Sequence, residues 1–138
     1  MPSLTVFLDS SVIISALISS TSGSHKIIQT AKSPAIKLIT SRYVVAEIAK
    51  HFPGFKLAKN IHMFPNPNQE IINKFTSITP DPQDAPILAG AVTSAADILV
   101  SLDKKHILIP KVKKYLKPVK VYNPQQFWRY LDKTFPSP

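Results

Sequence analysis

The chain contains no cysteine. That excludes disulfides, thiolate nucleophiles and every zinc or iron-sulfur site built on sulfur, and it fits a reducing compartment. Any metal must be held by oxygen or imidazole. Glycine is almost as scarce, with Gly23, Gly54 and Gly90 the only three. They compose neither a GxGxxG fingerprint nor a P-loop, which argues against a dinucleotide enzyme or an NTPase. No apolar run approaches the ~20 residues that a bilayer-spanning helix needs. The N-terminus enters an apolar, β-branched run almost at once, with no basic segment and apolar signal core ahead of it. The expectation is a soluble cytoplasmic protein without membrane association. Acid is the remaining scarcity: 8 Asp+Glu stand against 17 Lys+Arg, for a net charge of +9 and a pI near 9.9. Such an excess points to a polyanionic partner.

What is present is enough for one domain. With 138 residues, 44% of them hydrophobic, the chain can bury a real core but is too short for two ordinary domains, so residues 1–138 are expected to form one. Leu4–Leu8 (LTVFL) reads as a strand, followed directly by Asp9, with Ser10 or Ser11 as cap of a helix through Val12, Ile13, Ala16 and Leu17. A second helix is expected over residues 25–32, carrying Ile27, Ile28 and Ala31. Residues 36–39 (IKLI) read as a strand, and Thr40 or Ser41 caps a helix that holds Glu47. The middle of the chain predicts a helix over 55–62, a turn at 64–69 and a short helix over 69–76.

Residues 81–103 carry the strongest pattern. Pro82 and Pro86 restrict the backbone, Asp84 is a good cap, and Ile87, Leu88, Ala91 and Val92 recur at helical spacing. The run Ile98, Leu99, Val100 is too short for a helix and fits a strand covered on both faces, with Asp103 just past its end. A helical turn over 104–108, a strand over 119–122 and a terminal helix through Phe127, Trp128 and Leu131 complete the chain. Strands alternating with helices predict an α/β fold, a central parallel sheet with helices on both faces.

In such sheets ligands bind outside the carboxyl ends of the strands. Asp9, Asp84 and Asp103 lie at strand ends or helix starts, and Glu47 lies on the helix after the second strand, so all four acids can converge there. Gathering them would leave four acids against 17 basic residues elsewhere, an acidic hole in a basic surface. Like charges raise one another's pKa, and a hard divalent cation relieves the repulsion. Carboxylate oxygens favour Mg²⁺ or Mn²⁺. The chemistry that uses such a site is metal-assisted phosphodiester hydrolysis. Taken singly, each acid has a plainer use: Asp84 and Asp103 as helix caps, and Glu47 as a solvated partner of Lys50 or His51. Asp81 and Asp97 read as turn residues. His25, His51, His62 and His106 show no HxxxH pair, so surface or core roles are expected of them. Lys104, Lys105, Lys111, Lys113 and Lys114 are candidates for phosphate contacts.

The order of the acids resembles that of the PIN-domain family, metal-dependent ribonucleases that include the toxin components of many toxin-antitoxin pairs. The resemblance spans nearly the whole chain. It is carried by VFLDSSVIISAL around Asp9, SRYVVAEIAK around Glu47, DPQDAPILAGAV around Asp84 and ADILVSLDKKHI around Asp103. It implies a compact parallel sheet flanked by helices, a single PIN-like three-layer domain, and metal ligation by Asp9, Glu47, Asp84 and Asp103. It also implies Mg²⁺ or Mn²⁺ as cofactor, RNA as substrate, homodimers, and an antitoxin whose segment covers the site. Ser101 corresponds to a hydroxyl residue beside the fourth acid. One departure is Ser11, where the family commonly has Asn; the hydroxyl is shorter and has fewer donors. A second reading follows from it, a catalytically weak or inactive PIN-fold protein that binds RNA or a protein partner. A haloacid-dehalogenase-type phosphohydrolase also carries Asp after its first strand, but it needs a second Asp where Ser11 stands.

Overall fold

The computed structural model describes residues 3–30 and 33–134. Five strands, β1 (Leu4–Leu8), β2 (Ile36–Ser41), β3 (Ile61–Phe64), β4 (Ile98–Val100) and β5 (Lys120–Tyr122), form one sheet in the order β3-β2-β1-β4-β5. Every pairing is parallel, with Val6 opposite Leu38 on one side and opposite Ile98 on the other. The seven α-helices found among the described residues are α1 (Ser10–Ile18), α2 (Gly23–Thr30), α3 (Arg42–His51), α4 (Gln69–Asn73), α5 (Ala85–Thr93), α6 (Pro110–Tyr115) and α7 (Pro124–Thr134). Parallel neighbours demand crossovers, and right-handed crossovers running outward in both directions from β1 put helices on both faces. None of these helices is long and apolar enough to cross a membrane.

The central strands owe their place to composition. Val6, Phe7, Leu8, Leu38, Ile39, Ile98, Leu99 and Val100 are all fully buried, as strands covered on both faces require. Each such side chain contributes ~1.5–3 kcal/mol relative to exposure. α5 closes tightly over β1 because residue 90 is glycine: a Cβ there would stand 3.1 Å from Phe7 Cζ. α5 ends in a turn where Ala96 N donates to Ala91 O at 3.1 Å and Ala95 adopts φ 55°. That left-handed conformation is one that glycine normally supplies.

Several expectations are corrected. Residues 55–62 form no helix; the chain instead enters strand β3, whose His62 and Met63 are exposed and whose place is secured by backbone pairing to β2. Residues 104–107 form the expected helical turn, with Ile107 N donating to Asp103 O at 3.2 Å, and a further helix, for which there was no expectation, lies at α6, where Pro110 is well placed to start it. Asp9 itself caps α1, through Ser10 N at 2.6 Å, in place of Ser10 or Ser11. Ala31 and Lys32, expected at the end of the second helix, lie outside the described residues. Ser41 caps α3 as expected, accepting from Val44 N at 3.3 Å.

Candidate metal centre

The carboxyl ends of β1 and β4 are adjacent, and the strand order reverses direction between them, which makes this edge the natural crevice of the sheet. Asp9 leaves β1 there and is 3% exposed. Its N–H donates to Val100 O at 3.1 Å. Oδ2 accepts from Ser101 Oγ at 2.6 Å and from Ser11 Oγ at 2.9 Å, which uses both of its lone pairs. Oδ1 accepts from Ser10 N at 2.6 Å. The Ser10 hydroxyl stands 3.3 Å from Oδ1 and 3.3 Å from Glu47 Oε1. With one proton it can serve only one of them, and when it serves Glu47 a lone pair of Oδ1 remains for another partner. Burial pushes the Asp9 carboxyl above its ordinary range, with the Ser101, Ser11 and Ser10 bonds pulling the other way.

Glu47 is brought to Asp9 by α3. Its carboxyl is also raised, first by burial and then by the charge of Asp9, with the Ser10 bond, Lys50 and His51 opposing. Its link to Ser10 belongs to the site and not to a solvated helix face. Asp84 lies at the end of a short 3₁₀ turn, Pro82–Asp84, ahead of α5. Its plainer alternative, taken singly, was to cap α5, yet its carboxylate makes no capping hydrogen bond. Asp81 takes the local capping duty, accepting from Gln83 N at 3.0 Å, and that leaves Asp84 free. Burial, followed by the charges of Asp9, Asp103 and Asp81, pushes the Asp84 carboxyl up to about 7, with His106 opposing.

Asp103 follows β4 and divides its two oxygens. Oδ1 caps the next turn, accepting from Lys105 N at 3.1 Å and His106 N at 2.9 Å. Oδ2 faces the His106 ring, 3.2 Å from Nδ1. The serines bind this loop to Asp9: Asp103 N donates to Ser101 Oγ at 3.0 Å, and Leu102 N donates to Ser11 Oγ at 3.0 Å. Ser11 therefore both donates and accepts at the site.

His106 was expected to have a surface or core role and is instead part of this cluster. Its Nδ1 lies 3.3 Å from Asp84 Oδ2 as well as against Asp103. The signal available in sequence was its place three residues after Asp103, within one turn. Tyr43 was also missed. Its hydroxyl donates to Gln83 O at 2.8 Å, and the phenol is raised by burial and then by the charges of Glu47, Asp84 and Asp81, so the ring senses the negative potential of the site. Among the described residues no lysine or arginine nitrogen lies within 4.0 Å of a carboxylate, and His106 is the only basic group within that distance of the acids.

The donor chemistry fits a hard divalent cation: carboxylate oxygens, partly desolvated, raising one another's pKa and lacking a fixed ammonium or guanidinium. Among the described residues, the group whose ligand atoms already meet within 4.8 Å is Asp81, Asp84 and His106. Asp81, expected to be structural, thus stands at the site. No three of the four acids gather to that span among the described residues.

Of the candidate nucleic-acid contacts, Lys104 and Lys105 are exposed beside Asp103, while Lys111, Lys113 and Lys114 lie on α6, which packs against β5. Lys111 Nζ donates to Ser77 O at 2.9 Å, so that lysine also holds the fold together.

The family profile described as PIN domain matches residues 5–105. That span runs from β1 through the turn that follows Asp103. No curated protein matches the chain. Three solved structures share the fold. VapBC2 from Rickettsia felis, bound to a DNA fragment from its promoter, is 13% identical with a TM-score of 0.64, covering 87% of this chain and 98% of the other. VapBC-1 from nontypeable Haemophilus influenzae is 17% identical with a TM-score of 0.60, covering 88% and 99%. FitAB bound to the IR36 DNA fragment is 14% identical with a TM-score of 0.54, covering 86% and 94%.

Proposed function

The chain belongs to the PIN-domain family, and on that premise we propose that it is a Mg²⁺- or Mn²⁺-dependent endoribonuclease, the toxin component of a toxin-antitoxin pair. The observation that carries this reading is the cluster of acids at the carboxyl edge of the sheet, with no lysine or arginine nitrogen within 4.0 Å of it among the described residues. Asp9, Glu47 and Asp84 all have raised carboxyls, each through burial and then through a neighbouring acid or in spite of hydrogen bonds that favour the anion.

In this reading Asp9, Glu47, Asp84 and Asp103 hold the cation. Once bound, the ion supplies polarisation of the phosphoryl oxygen and acidification of the attacking water. The protein's own contribution is placement. Ser11 and Ser101 occupy Asp9 Oδ2 and so aim Oδ1 at the cation. Ser101 and Ser11 also fix the backbone at Asp103 and Leu102, which holds the fourth acid in register with the first. Lys104, Lys105, Lys111, Lys113 and Lys114 take the phosphates on either side of the scissile bond, sequence-independently and with salt-sensitive affinity.

The toxin assignment draws on the family resemblance, and the partners it brings are an antitoxin and a second copy of the chain. Leu17 and Ile18, 50% and 72% exposed at the end of α1, give a protein partner an apolar surface to cover. The test is turnover of single-stranded RNA with Mn²⁺ and with chelator. Asp103→Asn and Asp9→Asn should each lower metal-dependent cleavage by about a hundredfold or more, as loss of charge at a metal site does. Cleavage unchanged in both variants would sink the assignment.

A further inference from the structure

Away from the acids, the sheet is open along β5. That strand pairs with β4 on one side, and among the described residues no strand lies on the other. Lys120 N donates to Asp97 O at 3.0 Å, and Tyr122 O accepts from Ser101 N at 3.0 Å, so Lys120 and Tyr122 turn their backbone toward β4. The alternate residue, Val121, therefore turns its N–H and C=O to the open side. The flanking amides are already engaged, Val119 N by Leu116 O at 2.8 Å and Asn123 N by Gln126 Oε1 at 2.9 Å. Val121 is only 3% exposed, so its outward pair lies at the floor of a groove. Backbone groups so placed are normally hydrogen-bonded.

The groove has a volume of about 630 Å³, and Lys113, Lys117 and Lys120 stand in its walls. No carboxylate lines it, and among the described residues none comes within 4.0 Å of a lysine nitrogen. Around Pro118 it adjoins a second cavity, of about 620 Å³, with which it shares Lys117, Pro118 and Val119. There the walls turn apolar. Phe75 packs edge-on against Tyr115 with ring centroids 5.7 Å apart, and Tyr115 and Val92 are 51% and 39% exposed. The one acid in that lining, Asp97, is occupied by Thr5 N at 2.8 Å.

Each feature narrows the occupant. An outward N–H and C=O on one strand residue match another extended chain, which offers the complementary pair. A nucleic-acid backbone offers phosphate oxygens, and these would meet the Val121 carbonyl as acceptor against acceptor. A second copy of β5 would set lysine against lysine, which is how edge strands resist self-pairing. Acidic side chains answer the three lysines, and an apolar residue answers Tyr115, Phe75 and Val92. We propose that the β5 edge takes an acidic, extended segment of a protein partner as an added strand, with an apolar residue of that segment anchored beyond Pro118. Neither cavity is lined by Asp9, Glu47, Asp84 or Asp103, so the inference stands apart from the nuclease reading.

The test is fluorescence anisotropy of a labelled peptide of alternating glutamate and valine with a terminal phenylalanine, titrated with the full chain in chelator. Saturable, salt-sensitive binding is expected. Lys117→Glu and Lys120→Glu, both at exposed positions, should each weaken it at least tenfold, as like charges brought together do. Methylating the amides along one edge of the peptide, which removes main-chain hydrogen bonds and keeps the charge, should weaken it about tenfold. Saturating peptide should slow hydrogen exchange at the Val121 amide at least tenfold, a change that charge attraction alone would not produce. No saturable binding, binding indifferent to methylation along either edge, or an unchanged Val121 amide would overturn the proposal. Displacement of the labelled peptide by oligouridylate as readily as by unlabelled peptide would also overturn it, because the edge would then be a nucleic-acid surface.

Discussion

Asp84→Asn should make the metal-free protein more stable, and by an amount that depends on pH. Folding raises the Asp84 carboxyl from 3.8 to about 7, because the site is partly buried and already holds Asp9, Asp103 and Asp81. A group held at a higher pKa in the folded state keeps its proton longer there than in the unfolded chain. Its contribution is fully present below pH 3.8 and is lost as pH rises through 7. The displacement corresponds to at most about 4 kcal/mol, and because the carboxyl is only half-buried solvent screening reduces it, so a gain of several degrees in Tm is expected. Asparagine is neutral at every pH and close in shape, so it lacks this decline. Melting curves in chelator should coincide for wild type and variant near pH 3.5 and separate progressively to pH 8, with the variant higher. Because the charge of Asp9 helps to raise Asp84, the difference between the curves reports Asp84 together with its coupling to Asp9. Saturating Mn²⁺ at pH 8 should reverse the order, because the cation binds the carboxylate that the variant lacks. A variant that melts below wild type in chelator at pH 8, or an offset that is the same at both ends of the range, would refute the reasoning.

Three further outcomes follow from the same structure. Ser101→Ala removes a fully buried hydroxyl that serves Asp9 Oδ2 and the Asp103 amide; denaturant unfolding should show a loss of about 1–3 kcal/mol, and Mn²⁺ titration a loss of at least tenfold in affinity. Ala95→Gly relieves the left-handed residue after α5 and should raise stability by ~0.5–1 kcal/mol, read as a higher Tm with the metal site unchanged. Lys114→Ala should weaken RNA binding about equally across sequences and reduce the salt slope by about one, measured by filter binding with the Asp103→Asn protein.

Much of the fold was legible because its centre is made of local signals. The runs LTVFL and ILV are apolar, short and followed by an acid, and they became β1 and β4, adjacent in the sheet, with Asp9 and Asp103 at their carboxyl ends. The edge of the sheet was not legible. In β3 only Ile61 is buried, so IHMF has no hydrophobic alternation, and its strand identity comes from the β2 backbone beside it. α6 is six residues long with Val112 its one buried position, too little for a periodic signal.

At the site the limit was of a different kind. Asp84 has the composition of a cap, and what frees it is that Asp81 caps the preceding turn. His106 joins the acids because the turn after Asp103 folds its ring back toward Asp84, across 22 residues of chain. Spacing rules that look for two histidines on one helix face do not see a contact of that sort.

The most direct measurement is a crystal structure of the protein grown or soaked with Mn²⁺, with the ion located by its anomalous scattering. The expected result is an ion with oxygen ligands from at least three of Asp9, Glu47, Asp84 and Asp103, Asp9 coordinating through the oxygen that the Ser11 and Ser101 hydroxyls do not occupy. An ion held only by Asp81, Asp84 and His106, with the Asp9 carboxylate bonded solely to serines, or no ion at saturating Mn²⁺, would contradict it.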